Sequence, residues 1–184
     1  MPTGEEKPDG PEFAAALARH GPSRTSEPPW GRPPIFAAPS AEAVAAVKAV
    51  YAGVETALGP AAAACRACGR CCRFRTGGMV LFASSLEMAV LVAGAGPPDA
   101  SRFVVGGPVA GNWVCPYQEG NRCAARGVRP LGCRTYFCDA ETGARGRAVH
   151  AGALDRLRTV AREHGHSWWY GPAKAYLDGV VSVR

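Results

Sequence analysis

The chain of 184 residues lacks any apolar run long enough to cross a membrane. A membrane-spanning helix needs roughly 18 or more consecutive apolar residues, whereas the best stretch, Met88 to Ala95, is far shorter. The amino terminus reads MPTGEEKPDG, with acids and prolines in place of the basic start and apolar core of a secretion signal. These absences predict a cytoplasmic protein with no membrane partner.

Charge is also sparse, since only 20% of the residues are charged, while 47% are hydrophobic. A chain of this kind can bury the modest core of one small domain. Nine of the 16 prolines fall in residues 1–39, where no hydrophobic periodicity is visible. Proline fixes extended backbone, and such a segment buries too little apolar surface to offset its ordering entropy. Residues 1–39 are therefore predicted to form a disordered or surface-bound leader, followed by one domain over residues 40–184.

Three helices are predicted from apolar spacing and capping residues. Over 41–58 the apolar residues recur at spacings of three and four, and Ser40 precedes them as the cap. Ser84 with Glu87 three residues later has the pattern of a capping box, which opens a second helix. A third stripe runs over about 148–163.

Strand signals are weak and limited to 79–82 and 103–105. The aromatic run over 168–172 is interpreted as a core plug with a turn, and the alternative is an aromatic lid over a metal site or a surface for an unidentified protein partner. The predicted fold class is mainly α: a small single domain of three or more helices, with long loops that a metal organises.

Cysteine is the most informative residue type, because all eight cysteines fall within residues 65–138. They are Cys65, Cys68, Cys71, Cys72, Cys115, Cys123, Cys133 and Cys138. Zinc binds four thiolates in a tetrahedron, and iron–sulfur clusters also take four. The eight cysteines are therefore predicted to be metal ligands for zinc or iron, with an iron–sulfur cluster as one form. Eight thiolates suffice for two such sites, and the sequence leaves their division open.

Two geometries are open for the first group, Cys65-Arg-Ala-Cys68-Gly-Arg-Cys71-Cys72. On a helix at roughly 100° per residue, the four thiols fit on one face about 120° wide. Pro60 and the alanines after it favour a helix start at this point. The alternative is a loop wrapped around a cluster, as in ferredoxins. Both geometries predict metal binding.

Other interpretations of the cysteines fit less well. Disulfides suit a secreted scaffold of fewer than about 80 residues. A redox dithiol formed by Cys68 and Cys71 would need a preceding strand and no crowd of neighbouring thiols. Zinc fingers that bind nucleic acid pair their cysteines with two histidines at fixed spacing, and no such pair follows here.

The cysteine set resembles the YkgJ-like cysteine-cluster family, whose members are described as zinc- or iron-chelating domains. The matching residues, in order, are Cys65, Cys68, Cys71 and Cys72, then Cys115-Pro116 and Cys123, and finally Arg129, Pro130, Cys133, Arg134, Tyr136 and Cys138. The resemblance covers roughly residues 62–140. Between Cys123 and Arg129 the family tends to have an Ile-Tyr pair, whereas this chain has Ala-Arg-Gly-Val.

The resemblance implies metal chelation with an unassigned biological role, and it implies no particular catalytic residue. Flagellin lysine N-methylases are similar in their cysteine set but much larger. The alternative function is therefore an iron–sulfur redox protein or a protein-modifying enzyme. In that case Arg129 or Arg134 would tune the cluster or bind an anionic substrate.

The net charge of +6 lies wholly between Cys65 and Arg147, where there are eleven arginines and five acids. Four thiolates on a divalent ion carry a charge of −2, which nearby guanidinium groups can offset. The arginines expected to do so are Arg66, Arg70, Arg73, Arg75 and Arg134. A nucleic-acid-binding zinc module is the weaker interpretation of the same charge. His164 and His166 are assigned to a helix carboxyl end, where the dipole favours them, and completion of a metal site is their weaker interpretation.

Overall fold

The computed structural model describes Pro33 and Gly69, residues 37–64, 72–74, 80–99, Ser101, 113–137 and 140–182. Most of the predicted leader lies outside these residues. Within them the chain is mainly helical, as predicted. The α-helices are α1 (Ala41–Leu58), α2 (Ser85–Ala95), α3 (Leu131–Thr135), α4 (Ala140–Glu163) and α5 (Ala173–Ser182). No helix in the described ranges combines the length and apolar character that a bilayer span requires.

The described strands are short and form three antiparallel pairs. The strands are β1 (Arg73–Phe74), β2 (Phe82–Ser84), β3 (Trp113–Val114), β4 (Gln118–Glu119), β5 (Arg122–Cys123) and β6 (Tyr170–Pro172). β1 pairs with β3, β2 with β6, and β4 with β5. Two 3₁₀ helices (Gly59–Ala64 and Arg126–Val128) complete the described elements.

The first hydrophobic core lies between α1 and α4. The predicted stripe of α1 is buried, with Val47 and Leu58 almost fully enclosed. Ser40 caps the helix as predicted, since its hydroxyl accepts a hydrogen bond of 3.1 Å from the backbone N–H of Ala43. Gly59 ends the helix at a φ of 57°. The apolar residues spaced three and four apart form the face of α1 that packs on the core, which is why their spacing predicts a helix.

Helix α2 joins the first core to a second one. Its capping box is formed as predicted: the Glu87 N–H donates to Ser84 Oγ (3.3 Å), and the Ser84 N–H donates to Glu87 Oε2 (2.8 Å). Leu86 and Val90 belong to the first core, while Met88 and Leu91 belong to the second. Because both faces of α2 are buried, the helix lacks an amphipathic pattern and is recognisable mainly by its cap.

The predicted start of the third helix is wrong by eight residues. Helix α4 begins at Ala140, not at 148. Its first half contains Gly143 and Gly146, which are poor helix formers. A side chain at Gly146 would collide with the backbone carbonyl oxygen of Thr135 in α3. The glycine is required for close helix packing, so a tertiary contact overrides the local propensity.

The segment after α4 differs from its prediction as well. Trp168 packs on the first core and Trp169 on the second, in line with a core plug, but Tyr170–Pro172 form strand β6 where a turn was predicted. This strand pairs with β2, which covers 82–84 and so begins at the end of the predicted strand over 79–82. The predicted strand over 103–105 lies outside the described residues.

Two glycines of α4 allow a matched test of this packing. Gly146→Ala should lower the free energy of unfolding by about 1–3 kcal/mol, because its methyl group would be forced into α3. Gly152→Ala should raise it by about 0.5–1 kcal/mol, because nothing lies within 4 Å of the added Cβ and alanine is the better helix former. Urea denaturation of both variants measures the difference. Equal effects of the two substitutions would contradict the packing of α4 on α3.

Candidate metal centre

Cys72 and Cys115 come from different cysteine groups and are joined through the backbone. Strands β1 and β3 pair Arg73 with Val114. The Cys115 N–H donates to the Cys72 carbonyl oxygen at 2.8 Å, which continues this ladder. The pairing therefore places the last cysteine of the first group beside the first cysteine of the second group.

The hairpin of β4 and β5 brings Cys123 back toward the same place. Cys123 is paired with Gln118 across the hairpin, and the Gln118 N–H donates to the Cys115 carbonyl oxygen at 2.9 Å. Gly120 turns the chain at a φ of 56°, a conformation that favours glycine. A tight turn followed by a hairpin thus connects Cys115 to Cys123.

Gly69 decides against one of the two geometries predicted for the first cysteine group. Its φ is +70°, and the Cys72 N–H donates to its carbonyl oxygen at 3.1 Å. A left-handed residue interrupts a right-handed helix, so a continuous helix over 65–72 is wrong at Gly69, while Cys65, Cys68 and Cys71 themselves lie outside the described residues. A Cβ at position 69 would lie 2.6 Å from Gln118 Nε2 and 3.3 Å from the Cα of Asn121. The glycine lets the first group approach the hairpin of the second.

Cys133 is carried by the short helix α3. Pro130 is the N-cap, and the Cys133 N–H donates to its carbonyl oxygen at 2.9 Å. The first N–H of the helix, that of Leu131, donates to Glu87 Oε1 at 2.6 Å. A five-residue helix has little stability of its own. The buried carboxylate of α2 therefore fixes the position of the helix that carries Cys133.

Glu87 connects three helices, a role that the sequence prediction missed. Besides its contacts with Ser84 and Leu131, it accepts a hydrogen bond of 3.4 Å from the Tyr51 hydroxyl of α1. Its side chain is 0% exposed. Burial raises the pKa of Glu87, while the hydrogen bonds that it accepts from Ser84, Leu131 and Tyr51 act in the opposite direction. The capping-box pattern identifies Glu87 as a local cap, but contacts so distant in sequence leave no local signal.

The four described cysteines line one cavity of about 30 Å³. They are Cys72, Cys115, Cys123 and Cys133. The rest of the wall is largely apolar and includes Leu81, Met88 and Leu91, with Arg129 as its charged member. A space of this size is on the scale of one water molecule or ion. Thiols from both groups thus converge on a single cavity.

The four described cysteines do not by themselves form a complete metal site. Within the ranges that the structure describes, no three Cys, His, Asp or Glu side chains are close enough together to hold an ion. Cys65, Cys68, Cys71 and Cys138, the other four predicted ligands, lie outside the described residues.

The arginines expected to offset the thiolates have different environments. Arg134 Nη1 lies 2.7 Å from Glu55 Oε1, and its Nη2 and Nε donate to the carbonyl oxygens of Gly127 and Arg129. Its guanidinium carbon lies 4.0 Å from the centre of the Tyr51 ring. Arg134 therefore ties the loop before α3 to α1, a role that was not predicted.

The remaining arginines of that set are Arg66, Arg70, Arg73 and Arg75. Arg73 is exposed and donates to Asn121 Oδ1 at 3.3 Å. Arg66, Arg70 and Arg75 lie outside the described residues. Arg129, which was considered only for the enzyme alternative, lines the thiol cavity. Its Nε is buried and has no hydrogen-bond partner in the described part of the chain.

The three histidines in the described part of the chain are not among the residues that line the cavity. His164 and His166 follow the end of α4, where their backbone N–H groups donate to the carbonyl oxygens of Val160 and Ala161. His150 was not singled out from the sequence. Its Nδ1 lies 3.0 Å from Thr135 Oγ1, and its Nε2 lies 3.2 Å from the Tyr170 hydroxyl. Burial lowers the pKa of His150, so the neutral form is favoured in this bridge.

Comparison of the chain with protein-family models, with curated proteins and with solved structures gives no match.

Proposed function

We propose that the protein is a cytoplasmic metal-binding protein that chelates zinc or iron through its cysteines. The observation that carries this proposal is the convergence of Cys72, Cys115, Cys123 and Cys133 on one cavity. These residues lie on a loop, a turn, a hairpin and a helix, so it is the tertiary fold that brings them to the wall of one cavity. The resemblance to the YkgJ-like cysteine-cluster family supports the same function.

The donor set fits zinc and iron. Thiolates are soft ligands that select zinc, copper(I) and iron–sulfur clusters over magnesium or calcium. The apolar wall of Leu81, Met88 and Leu91 would limit solvent access and so strengthen the interactions of the bound metal with its ligands. A bound zinc ion would cross-link the loops that carry the cysteines, and an iron–sulfur cluster would also be able to transfer electrons. The cysteines outside the described residues would complete the ligand set.

A structural role for the metal is the best-supported form of the proposal. Cys72 and Cys115 lie next to β1 and β3, Cys123 lies in β5, and the strands of both pairs are only two residues long. Strand pairs of this length are unstable alone. A metal bound across them would contribute its binding free energy to folding, as in other small metal-organised domains.

The proposal is tested by serine substitutions that remove one sulfur and nearly preserve the side-chain shape. Cys115→Ser and Cys123→Ser should each reduce the metal content of the purified protein by at least about half, because each removes a ligand. His166→Ala is the matched control, since His166 does not line the cavity, and it should keep the wild-type metal content. Elemental analysis gives all three values. Wild-type metal content in both cysteine variants would refute the ligand assignment.

A further inference from the structure

Arg129 places a charged group in the wall of the thiol cavity. Its Nε is buried without a hydrogen-bond partner among the described residues. A buried donor of this kind is costly, and more so when it belongs to a charged group. Native structures rarely keep such a group unless a bound water, ion or ligand pairs with it. The cavity that Arg129 lines is therefore expected to hold an acceptor of negative charge.

The wall of the cavity offers only one class of negatively charged partner. Its described lining residues include no aspartate and no glutamate. The cysteine sulfurs are the groups in this wall that become anionic when a metal binds, because a metal takes its thiol ligands as thiolates. Glu87, the buried carboxylate of α2, does not line the cavity and is already hydrogen-bonded by Ser84, Leu131 and Tyr51.

Arg134 does not supply the same charge to the cavity. Its guanidinium is directed to Glu55 and to the carbonyl oxygens of Gly127 and Arg129, and it is absent from the cavity wall. Both arginines belong to the motif that precedes and contains Cys133. Arg134 therefore contacts α1 and the loop before α3, whereas Arg129 lines the thiol cavity.

We infer that Arg129 is the residue that hydrogen-bonds the metal–thiolate centre and offsets its negative charge. This inference rests on the proposed function. Arg129 is a positioning residue, acting on the ligand sulfurs and not as a ligand itself. Hydrogen bonds to ligand atoms typically change metal affinity by 10- to 100-fold. Because a guanidinium also draws electron density from the sulfur that it contacts, its loss should change the sulfur-to-metal charge-transfer absorption of the centre.

The inference is tested with zinc and cobalt(II) on the full chain. Arg129→Gln should weaken zinc binding by roughly 10- to 100-fold in a chelator competition, and it should shift the sulfur-to-cobalt charge-transfer bands. Arg129→Lys keeps the positive charge without the Nε donor, and its affinity should fall between those of the wild type and Arg129→Gln. The metal-free Arg129→Gln protein should be no less stable than metal-free wild type, because the substitution removes a buried N–H that has no partner among the described residues.

Arg134→Gln is the matched control. It should lower the stability of the metal-free protein, since it breaks contacts with Glu55, Gly127 and Arg129, and should leave the cobalt bands unchanged. Wild-type zinc affinity and cobalt spectrum in Arg129→Gln would overturn the inference while leaving the proposed function intact. Loss of stability in metal-free Arg129→Gln at unchanged zinc affinity would also overturn it. A wild-type protein that binds neither zinc, iron nor cobalt would instead refute the proposed function and the inference together.

Discussion

Glu87→Ala is expected to lower the free energy of unfolding by about 3 kcal/mol or more, a loss typical of breaking a buried hydrogen-bond network. The substitution leaves the N–H groups of Ser84 and Leu131 buried without their acceptor, and it also removes the partner of the Tyr51 hydroxyl. It opens a cavity between α1, α2 and α3. Because α3 carries Cys133, we expect weaker zinc binding as well.

Glu87→Gln separates hydrogen bonding from side-chain volume. Each carboxylate oxygen of Glu87 accepts from a backbone N–H, Oε2 from Ser84 and Oε1 from Leu131. In either orientation of the glutamine amide, its NH₂ group would face one of these donors. We therefore expect a loss of about 1–3 kcal/mol, although glutamine fills the space.

Urea denaturation of the metal-free protein measures these losses without the contribution of the metal. Glu119→Gln is the control, since Glu119 is exposed on β4 and should tolerate the change. If Glu87→Gln were as stable as Glu119→Gln, the carboxylate would not hold α3 in place.

Gly69→Ala is the second substitution with a large expected effect. The residue has a left-handed φ of +70°, which costs alanine about 1–2 kcal/mol. Its new methyl group would also meet Gln118 Nε2 at 2.6 Å and the Cα of Asn121 at 3.3 Å. The total expected loss is about 2–4 kcal/mol. Since the collision is with the hairpin that carries Cys123, zinc affinity should fall too.

Gly120→Ala isolates the backbone part of this effect. Gly120 has a φ of 56° in the same hairpin, but nothing lies within 4 Å of an added Cβ. It should therefore lose only the cost of the left-handed conformation, and zinc affinity should stay at the wild-type value. Thermal unfolding and chelator competition compare the two variants. Equal losses of stability and affinity would mean that Gly69 does not hold the two cysteine groups together.

Local signals were sufficient for the first two helices. The apolar spacing of α1 and its Ser40 cap depend on residues within the helix or next to it, as does the capping box of Ser84 and Glu87. For these elements the same residues decide both the local conformation and the burial. Their ends and caps could therefore be predicted from the sequence.

Elements that depend on distant contacts could not be predicted in this way. The first half of α4 requires Gly146 against Thr135, and β6 requires pairing with β2, which lies far away in sequence. Helix α3 has only five residues and begins at a hydrogen bond from Leu131 to Glu87. In each case the stabilising partner lies elsewhere in the chain, so the local sequence pattern predicts the wrong element or none.

In the candidate site, too, some features could be predicted from the local sequence and others depend on the tertiary structure. Cysteine spacing identifies the candidate ligands and their chemistry, because the affinity of thiolates for zinc and iron does not depend on the fold. The meeting of Cys72 with Cys115, and the choice between Arg129 and Arg134 for the cavity, depend on strand pairing and on the loop before α3. Those features are properties of the tertiary structure.

The most direct test of the central claim is elemental analysis of the full chain purified without oxygen, together with its absorption spectrum. The account predicts at least one zinc or iron ion per chain held by cysteine thiolates. A colourless zinc protein would indicate a structural centre, and a brown protein with iron and acid-labile sulfide would indicate a cluster. A protein that contains neither zinc nor iron, and that takes up neither when they are supplied to the reduced chain, would contradict the account.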